Sequence, residues 1–165
     1  MVQVRVAGVA LDSAGQHVIL LKPIDELPGE GRILPIWIGA QEATSILIAV
    51  EGAVAPRPLA HDLMTSMLDA LGATVERVEV TRIDDGTFFA EVTLRTGSDA
   101  AVVVDARPSD AVALASRASA PVFVADEVLG EAGVPGVVVE SDQEERLAEF
   151  QRFLEDVDPD DFREG

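Results

Sequence analysis

The feature that most constrains the fold is a set of short, strand-like segments separated by turn-forming residues. Apolar and polar residues alternate in Val2–Leu11, which places the apolar side chains on one face of a β-strand. A second strand is predicted at residues 17–22, and the turn residues 12–15 between the two predict a β-hairpin. A third strand is predicted over Arg32–Ile38, after a loop rich in proline and glycine.

The second half of the chain predicts more strands. Three are expected at residues 73–83, Thr87–Arg95 and residues 100–105. Asp85-Gly86, between the first two, is a strong hairpin signal because glycine accepts a positive φ without steric cost. A short buried strand is expected at residues 121–125 and a further one at residues 137–139.

Helical spacing predicts two helices in the middle of the chain. The first, at residues 40–51, has one apolar stripe, but Ile48 lies off that stripe. A helix that is apolar on more than one face is buried on two sides, within the fold or against another subunit. The second, at residues 59–71, is expected to end at Gly72 and to place His61 and Asp62 away from the core. Its expected core positions are Leu63, Met64, Met67, Leu68 and Leu71.

Two more helices complete the predicted architecture. One begins at Pro108-Ser109-Asp110 and is rich in alanine, which lets a neighbouring element approach closely. The other follows a capping box at Ser141-x-x-Glu144 and ends before Pro159. The expected fold is a single α+β domain with a mixed or antiparallel sheet packed against several helices. We assign residues 1–140 to this domain and residues 141–165 to an acidic C-terminal helix and tail.

Composition restricts the classes of function. The 165 residues suit one domain, and the absence of cysteine excludes disulfides and thiolate chemistry. We find no secretory signal and no apolar run approaching the roughly 20 residues of a membrane span, so we expect a soluble, cytoplasmic protein without membrane association. The net charge of −18 repels phosphate backbones at long range, so a nucleic-acid function has to account for it.

Polar residues at the ends of predicted elements form three candidate clusters. Glu42 lies in the first turn of the first helix, where the helix dipole alone also explains a carboxylate. His61-Asp62 starts the second helix, and histidine can act as a base or a metal ligand but is often only a surface or capping group. Arg107 and Asp110 lie where a strand meets a helix, a place suited to an anion or a divalent cation. Alternatively, Ser109 caps that helix, Asp110 complements its dipole and Arg107 pairs with a carboxylate.

Several of these motifs occur together, in order, in one known family. The matching segments are Pro35-Ile36-Trp37-Ile38-Gly39 with Glu42-Ala43, Arg57-Pro58 with His61-Asp62, Ala106-Arg107-Pro108-Ser109-Asp110-Ala111, and Pro121-Val122-Phe123-Val124. In these residues the chain resembles the bifunctional nuclease family of bacteria and plants, from the first strand to about Val139. The resemblance implies an α+β fold, self-association into a homo-oligomer, and nuclease activity on both RNA and DNA.

On that basis the leading hypothesis is a nuclease assisted by a divalent metal, Mg²⁺ or Mn²⁺. Metal ions activate water and neutralise phosphate charge in phosphodiester cleavage. The metal-ligand candidates are Glu42, Asp62 and Asp110. His61 is a candidate base or ligand, and Arg107 a candidate phosphate clamp. The alternative is a non-catalytic regulatory or protein-interaction module, and a weaker third hypothesis is a small-anion sensor that uses Arg107.

Overall fold

A computed structural model describes residues 1–27 and 30–136. Within these residues the elements are β1 (Val2–Leu11), β2 (His17–Pro23), β3 (Arg32–Ile38), α1 (Ala40–Val50), α2 (Ala60–Ala70), β4 (Thr74–Asp84), β5 (Thr87–Arg95), β6 (Ala101–Ala106), α3 (Pro108–Ala118), β7 (Val122–Val124), α4 (Asp126–Ala132) and β8 (Val134–Pro135). The predicted α+β class and the single mixed sheet are confirmed.

The strands form one eight-stranded sheet in the order β6-β5-β4-β7-β1-β2-β3-β8. Every neighbouring pair is antiparallel except β4 and β7. Both predicted hairpins are present, because β1 pairs with β2 and β4 pairs with β5. At the second hairpin Asp85 and Gly86 both adopt positive φ, the conformation that a tight turn between twisted strands requires.

Helix α3 is the centre of the helical layer. It packs on β4 and β5 and contacts both α1 and α2, while α1 also contacts β1 and β2. Its alanines Ala111, Ala113 and Ala115 are almost completely buried, which confirms that small side chains bring neighbours close to this helix. Close packing of three helices brings the polar residues at their ends toward one another.

The core lies between the sheet and these helices. It is built from β-branched and leucine side chains that point to the same face of successive strands. The largest of its fully buried apolar side chains are Ile19, Leu21, Leu34, Ile46, Val78, Val80, Val112 and Val124.

The predicted core face of α2 is wrong. His61 is the only buried residue of this helix, whereas Met67 is 57% exposed and Leu71, at its end, is 80% exposed. Leu63 and Met64 are exposed as well. The spacing of apolar residues was correct for a helix, but the side that faces α3 is the polar one, because partners for His61 and Asp62 lie there. Gly72 follows α2 with a positive φ, as predicted.

Two short elements were not predicted, namely α4 and β8. Seven and two residues are too few for a recognisable period in the sequence. The strand predicted at residues 137–139 and the acidic helix and tail predicted at residues 141–165 lie outside the described residues. None of the helices in the described part of the chain has both the length and the apolar character needed to cross a bilayer.

Candidate functional site

The starts of two helices bring the first polar residues together. Glu42 lies in the first turn of α1, and Asp110 lies in the first turn of α3, three residues after the N-cap residue Arg107. Pro108 is the first residue of α3. Pro108 suits this position because the first helical residue has no intrahelical use for its N–H group. Ser109 is buried and does not cap α3, so that predicted role is wrong.

Arg107 joins the two helix starts. Its Nη2 donates to Glu42 Oε1 at 2.9 Å, and its Nε donates to Asp110 Oδ2 at 2.8 Å. A second, longer bond of 3.2 Å joins Nη2 to Asp110 Oδ1. The Arg107 side chain is 65% exposed, whereas those of Glu42 and Asp110 are 20% and 24% exposed. The guanidinium therefore faces solvent and rests on two partly covered carboxylates.

His61 lies behind Asp110, in the buried layer between α1, α2 and α3. Its Nε2 is 2.8 Å from Asp110 Oδ1, and its Nδ1 is 2.6 Å from Ser45 Oγ. An ionised carboxylate can only accept, so Nε2 carries a hydrogen. In the neutral ring, Nδ1 then accepts from the Ser45 hydroxyl. Both ring nitrogens are engaged by side chains, and His61 is 5% exposed.

Arg117 continues the network on the far side of Ser45. Its Nη2 donates to Ser45 Oγ at 2.9 Å and its Nε donates to Asp62 Oδ1 at 2.7 Å. The other carboxylate oxygen of Asp62 accepts from the Leu59 backbone N–H at 2.8 Å, at the start of α2. One continuous chain of hydrogen bonds thus runs from Glu42 through Arg107, Asp110, His61 and Ser45 to Arg117 and Asp62, and it ties three helices together.

The network shifts the pKa values of its charged members. Burial, the largest single influence on Asp110, raises its pKa, but the hydrogen bonds from Arg107 and His61 outweigh this and leave the pKa below its usual value. The hydrogen bond from Arg117 lowers the pKa of Asp62. The hydrogen bonds to Asp110 and Glu42 raise the pKa of Arg107. The two aspartates are therefore ionised at neutral pH and Arg107 is charged.

The exposed end of the network opens on a cleft of about 760 Å³. Ligand sites commonly measure about 300–1,000 Å³, so this cleft is large enough to bind a small molecule or a segment of a polymer. Arg107, Pro108 and Ser109 form one wall. The other walls are formed by the turns that follow β1 and β4 and by the segment from the end of β3 into α1. They contribute His17, Trp37, Gly39, Gly86 and Phe88, among other residues. Partial burial lowers the pKa of His17.

This one network contains all five candidate residues from the sequence, namely Glu42, His61, Asp62, Arg107 and Asp110. The three metal-ligand candidates are nevertheless divided between its two ends. Glu42 and Asp110 share Arg107, whereas Asp62 pairs with Arg117. Across residues 1–27 and 30–136, no group of three or more His, Cys, Asp or Glu side chains is arranged to hold a metal ion.

Sequence reasoning missed Ser45 and Arg117, the two residues that connect the ends. A signal for both was present. Ser45 follows Glu42 by three residues and Arg117 follows Asp110 by seven, spacings that place each pair on the same face of a helix. Ser45 is buried, and the Arg117 side chain is 8% exposed. Polar side chains on the buried face of a helix need polar partners. Ser45 and Arg117 find these partners in each other and in His61 and Asp62.

Comparison with known proteins identifies the family. The family model of the bifunctional nuclease domain matches residues 20–136, which include all seven residues of the network. An uncharacterized protein of Mycobacterium tuberculosis (strain H37Rv) is 38% identical over 170 residues, 99% of each chain. Bifunctional nuclease 1 of Arabidopsis thaliana is 31% identical over 115 residues, which cover 68% of this chain and 34% of the plant protein. Bifunctional nuclease 1 of Oryza sativa subsp. japonica is 29% identical with the same coverage. The chain thus spans about a third of the plant relatives. It belongs to the bifunctional nuclease domain family.

Proposed function

We propose that this protein is a nuclease that cleaves phosphodiester bonds of RNA and DNA, and that it does so in the cytoplasm. One observation carries the proposal: an exposed guanidinium, Arg107, rests on two carboxylates at the wall of a cleft, in a chain of the bifunctional nuclease family. Nuclease activity is the activity named for the plant relatives, and the cleft supplies charged groups that suit a phosphodiester.

Arg107 is the proposed phosphate-binding group. A guanidinium presents N–H donors in a planar fork that matches two phosphate oxygens. Its present partners, Glu42 and Asp110, hold it at the cleft wall without burying it. An incoming phosphate therefore competes with two carboxylates for the same donors. Once Arg107 turns toward the phosphate, these carboxylates become available to accept hydrogen bonds from an attacking water.

Asp110 is the proposed water-orienting group, and His61 is its positioning residue. A carboxylate with a lowered pKa stays ionised but is a weak proton acceptor, so Asp110 is better suited to hold a water than to remove its proton. His61 fixes the position of Asp110 through its Nε2 hydrogen. The buried hydroxyl of Ser45 and the guanidinium of Arg117 hold the His61 ring in turn.

Assistance by Mg²⁺ or Mn²⁺ is part of the proposal, with Glu42 and Asp110 as the residues that would hold the ion. They contact the same guanidinium, whereas Asp62 is engaged at the buried end of the network. A bound divalent cation supplies charge neutralisation on the phosphate and a more acidic bound water. Because the described residues contain no ready-made set of three ligands, we assign no step of the reaction to the ion.

The test is a cleavage assay on labelled single- and double-stranded RNA and DNA with Mg²⁺, Mn²⁺ or chelator. The variants are Arg107→Ala and Asp110→Asn, purified like the wild type and checked for folding by circular dichroism. Arg95→Ala is the matched control, because Arg95 also forms an exposed pair with a carboxylate, Glu76, but does not line the cleft. We expect cleavage by the wild type and the control, and a loss of about 100-fold or more in the other two variants.

Equal cleavage by all four proteins would refute the assignment of the site. No cleavage of any substrate under any of the metal conditions would refute the proposed activity. Cleavage that persists in chelator would refute only the role of the metal.

A second candidate function, a non-catalytic interaction module, is favoured by the apolar surface of α2. Leu63, Met64, Met67 and Leu71 are all at least 40% exposed. Exposed apolar patches commonly mark sites of protein association. We propose that this surface mediates the self-association of the chain, which is compatible with either function. Recovery of one stoichiometric partner protein, together with absence of cleavage, would favour the interaction module over the nuclease.

A further inference from the structure

Trp37 is an aromatic side chain in the lining of the candidate cleft. It lies near the end of β3, two residues before Gly39, and it is 54% exposed. A buried tryptophan side chain removes about 150–250 Å² of surface from water. Because this burial is favourable, a folded protein seldom leaves half of a tryptophan exposed. Trp37 lines the same cleft as Arg107 and Phe88. The exposed Trp37 side chain therefore lies at the proposed site.

The indole is fixed in place by a hydrogen bond. Its Nε1 donates to Asp12 Oδ2 at 3.0 Å. The other oxygen of Asp12 accepts from the backbone N–H groups of Ala14 and Gln16, at 2.8 and 2.9 Å, within the turn that follows β1. The only polar group of the ring is thus satisfied by the protein, and what the ring offers to a ligand is an aromatic surface. A ring held in this way loses little conformational freedom when a ligand stacks on it.

The charge of the protein limits which ligand can use this surface. With a net charge of −18, the chain gains little from long-range attraction to a polyanion. A nucleic acid must therefore be bound by short-range contacts, and base stacking on an aromatic ring is the strongest of these that does not depend on sequence. Bases inside a duplex are already stacked on each other and cannot reach the ring. Unpaired bases can.

Building on the proposed function, we propose that the cleft binds an unpaired segment of RNA or DNA, with one base stacked on Trp37 and a phosphate of the same strand at Arg107. Trp37 is then a substrate-binding residue that gives preference for single strands over duplexes. Phe88, on the same cleft, provides a second aromatic surface for the strand.

The composition of the chain makes this directly measurable. Trp37 is the only tryptophan and there is no tyrosine, so the intrinsic tryptophan fluorescence reports on this one ring. The titrants are a single-stranded oligodeoxynucleotide, an abasic oligomer of the same length and the corresponding duplex, all in chelator, with a gel to verify that they stay intact. We expect saturable quenching by the single strand and little or none by the abasic oligomer or the duplex. Quenching of equal size by the abasic oligomer would overturn the stacking role.

Binding by variants gives an independent readout, from the fluorescence anisotropy of an end-labelled single strand. Trp37→Ala should weaken binding by about 10-fold or more, and Trp37→Phe should retain most of the affinity. Val54→Ala is the matched control, because Val54 is an exposed apolar residue that does not line the cleft, and it should bind like the wild type. Wild-type affinity in Trp37→Ala would refute the proposal.

The failure of this inference can be separated from the failure of the proposed nuclease activity. If the wild type binds single strands through Trp37 but cleaves nothing, the stacking role stands and the nuclease proposal fails. If the wild type cleaves and Trp37→Ala binds and cleaves equally well, the nuclease proposal stands and the stacking role fails.

Discussion

Replacing Arg117 with leucine tests whether the buried end of the network holds the three helices together. The Arg117 side chain is 8% exposed and donates to three acceptors, Asp62 Oδ1, Ser45 Oγ and the backbone carbonyl of Ala113. Leucine retains much of the apolar contact of the side-chain stem but supplies no donor. The substitution leaves the partly exposed Asp62 carboxylate and the buried Ser45 hydroxyl without their cationic partner.

The expected loss of stability follows from these contacts. Removing one partner of a fully buried ion pair costs about 3–5 kcal/mol. The Asp62 side chain is 36% exposed, so water partly replaces the lost donor and reduces that cost. The hydroxyl of Ser45 is buried, and an unsatisfied buried polar group costs about 1–3 kcal/mol. We therefore expect the free energy of unfolding to fall by about 2–3 kcal/mol, which lowers the Tm by about 5–10 °C for a chain of this size.

The assay is urea denaturation together with thermal melting for a double-mutant cycle of Arg117→Leu and Asp62→Ala. The double variant should be less destabilised than the sum of the two single variants, by about 1 kcal/mol or more, because the second substitution removes the carboxylate that the first leaves unpaired. Arg95→Leu is the control, since the exposed pair of Arg95 with Glu76 should contribute about 1 kcal/mol or less. If Arg117→Leu is no more destabilising than Arg95→Leu, the network does not support the fold and our reasoning is wrong.

Three further predictions concern the pH response, the geometry of the cleft and self-association. The pKa of Asp110 lies below its ordinary value of 3.8, so its charge stabilises the folded state above about pH 4. This contribution is lost as the pH falls through the pKa of the folded state. The difference in free energy of unfolding between wild type and Asp110→Asn, measured by urea denaturation, should therefore shrink on acidification. A Cβ at Gly39 would lie 2.1 Å from Glu42 Oε2, so Gly39→Ala should displace that carboxylate and reduce cleavage by about 10- to 100-fold. Gly97→Ala, which meets no atom within 4 Å, should leave cleavage unchanged, and equal activities would contradict the assigned geometry. Met67→Glu should shift the mass measured by light scattering toward that of a monomer, and an unchanged mass would exclude the α2 surface as the contact.

Much of the fold was predictable because its signals are local. A two-residue turn such as Asp85-Gly86 specifies its hairpin within a few residues, and alternation specifies a strand without reference to the rest of the chain. The helix starts at Glu42 and Asp110 were predictable for the same reason. The five candidate site residues could therefore be named, although their meeting in one network depends on the packing of α1, α2 and α3.

The orientation of α2 was not predictable by the same means. Apolar spacing identifies a helix, but it assigns the inward face only when burial of apolar surface is the dominant force. Here the inward face is set by a polar residue, His61, whose partners Ser45 and Asp110 come from two other helices. Those partners lie 16 and 49 residues away in the chain, so no local pattern reveals that they meet His61.

The charges of the network bear on how so acidic a chain could offer the proposed phosphate site. Three carboxylates, Glu42, Asp62 and Asp110, are opposed by the two guanidinium groups of Arg107 and Arg117. These five side chains together carry a charge of −1 in a protein of net charge −18. The two arginines thus remove most of the local repulsion without creating a positive field. Recognition at the proposed site would depend on contacts made at the cleft wall itself, whose lining includes the exposed guanidinium of Arg107 and the hydrogen-bonded ring of Trp37. Binding through few phosphate contacts depends only weakly on salt, so nucleic-acid binding at the proposed site should be less sensitive to salt than binding in the basic grooves of most nucleic-acid-binding proteins.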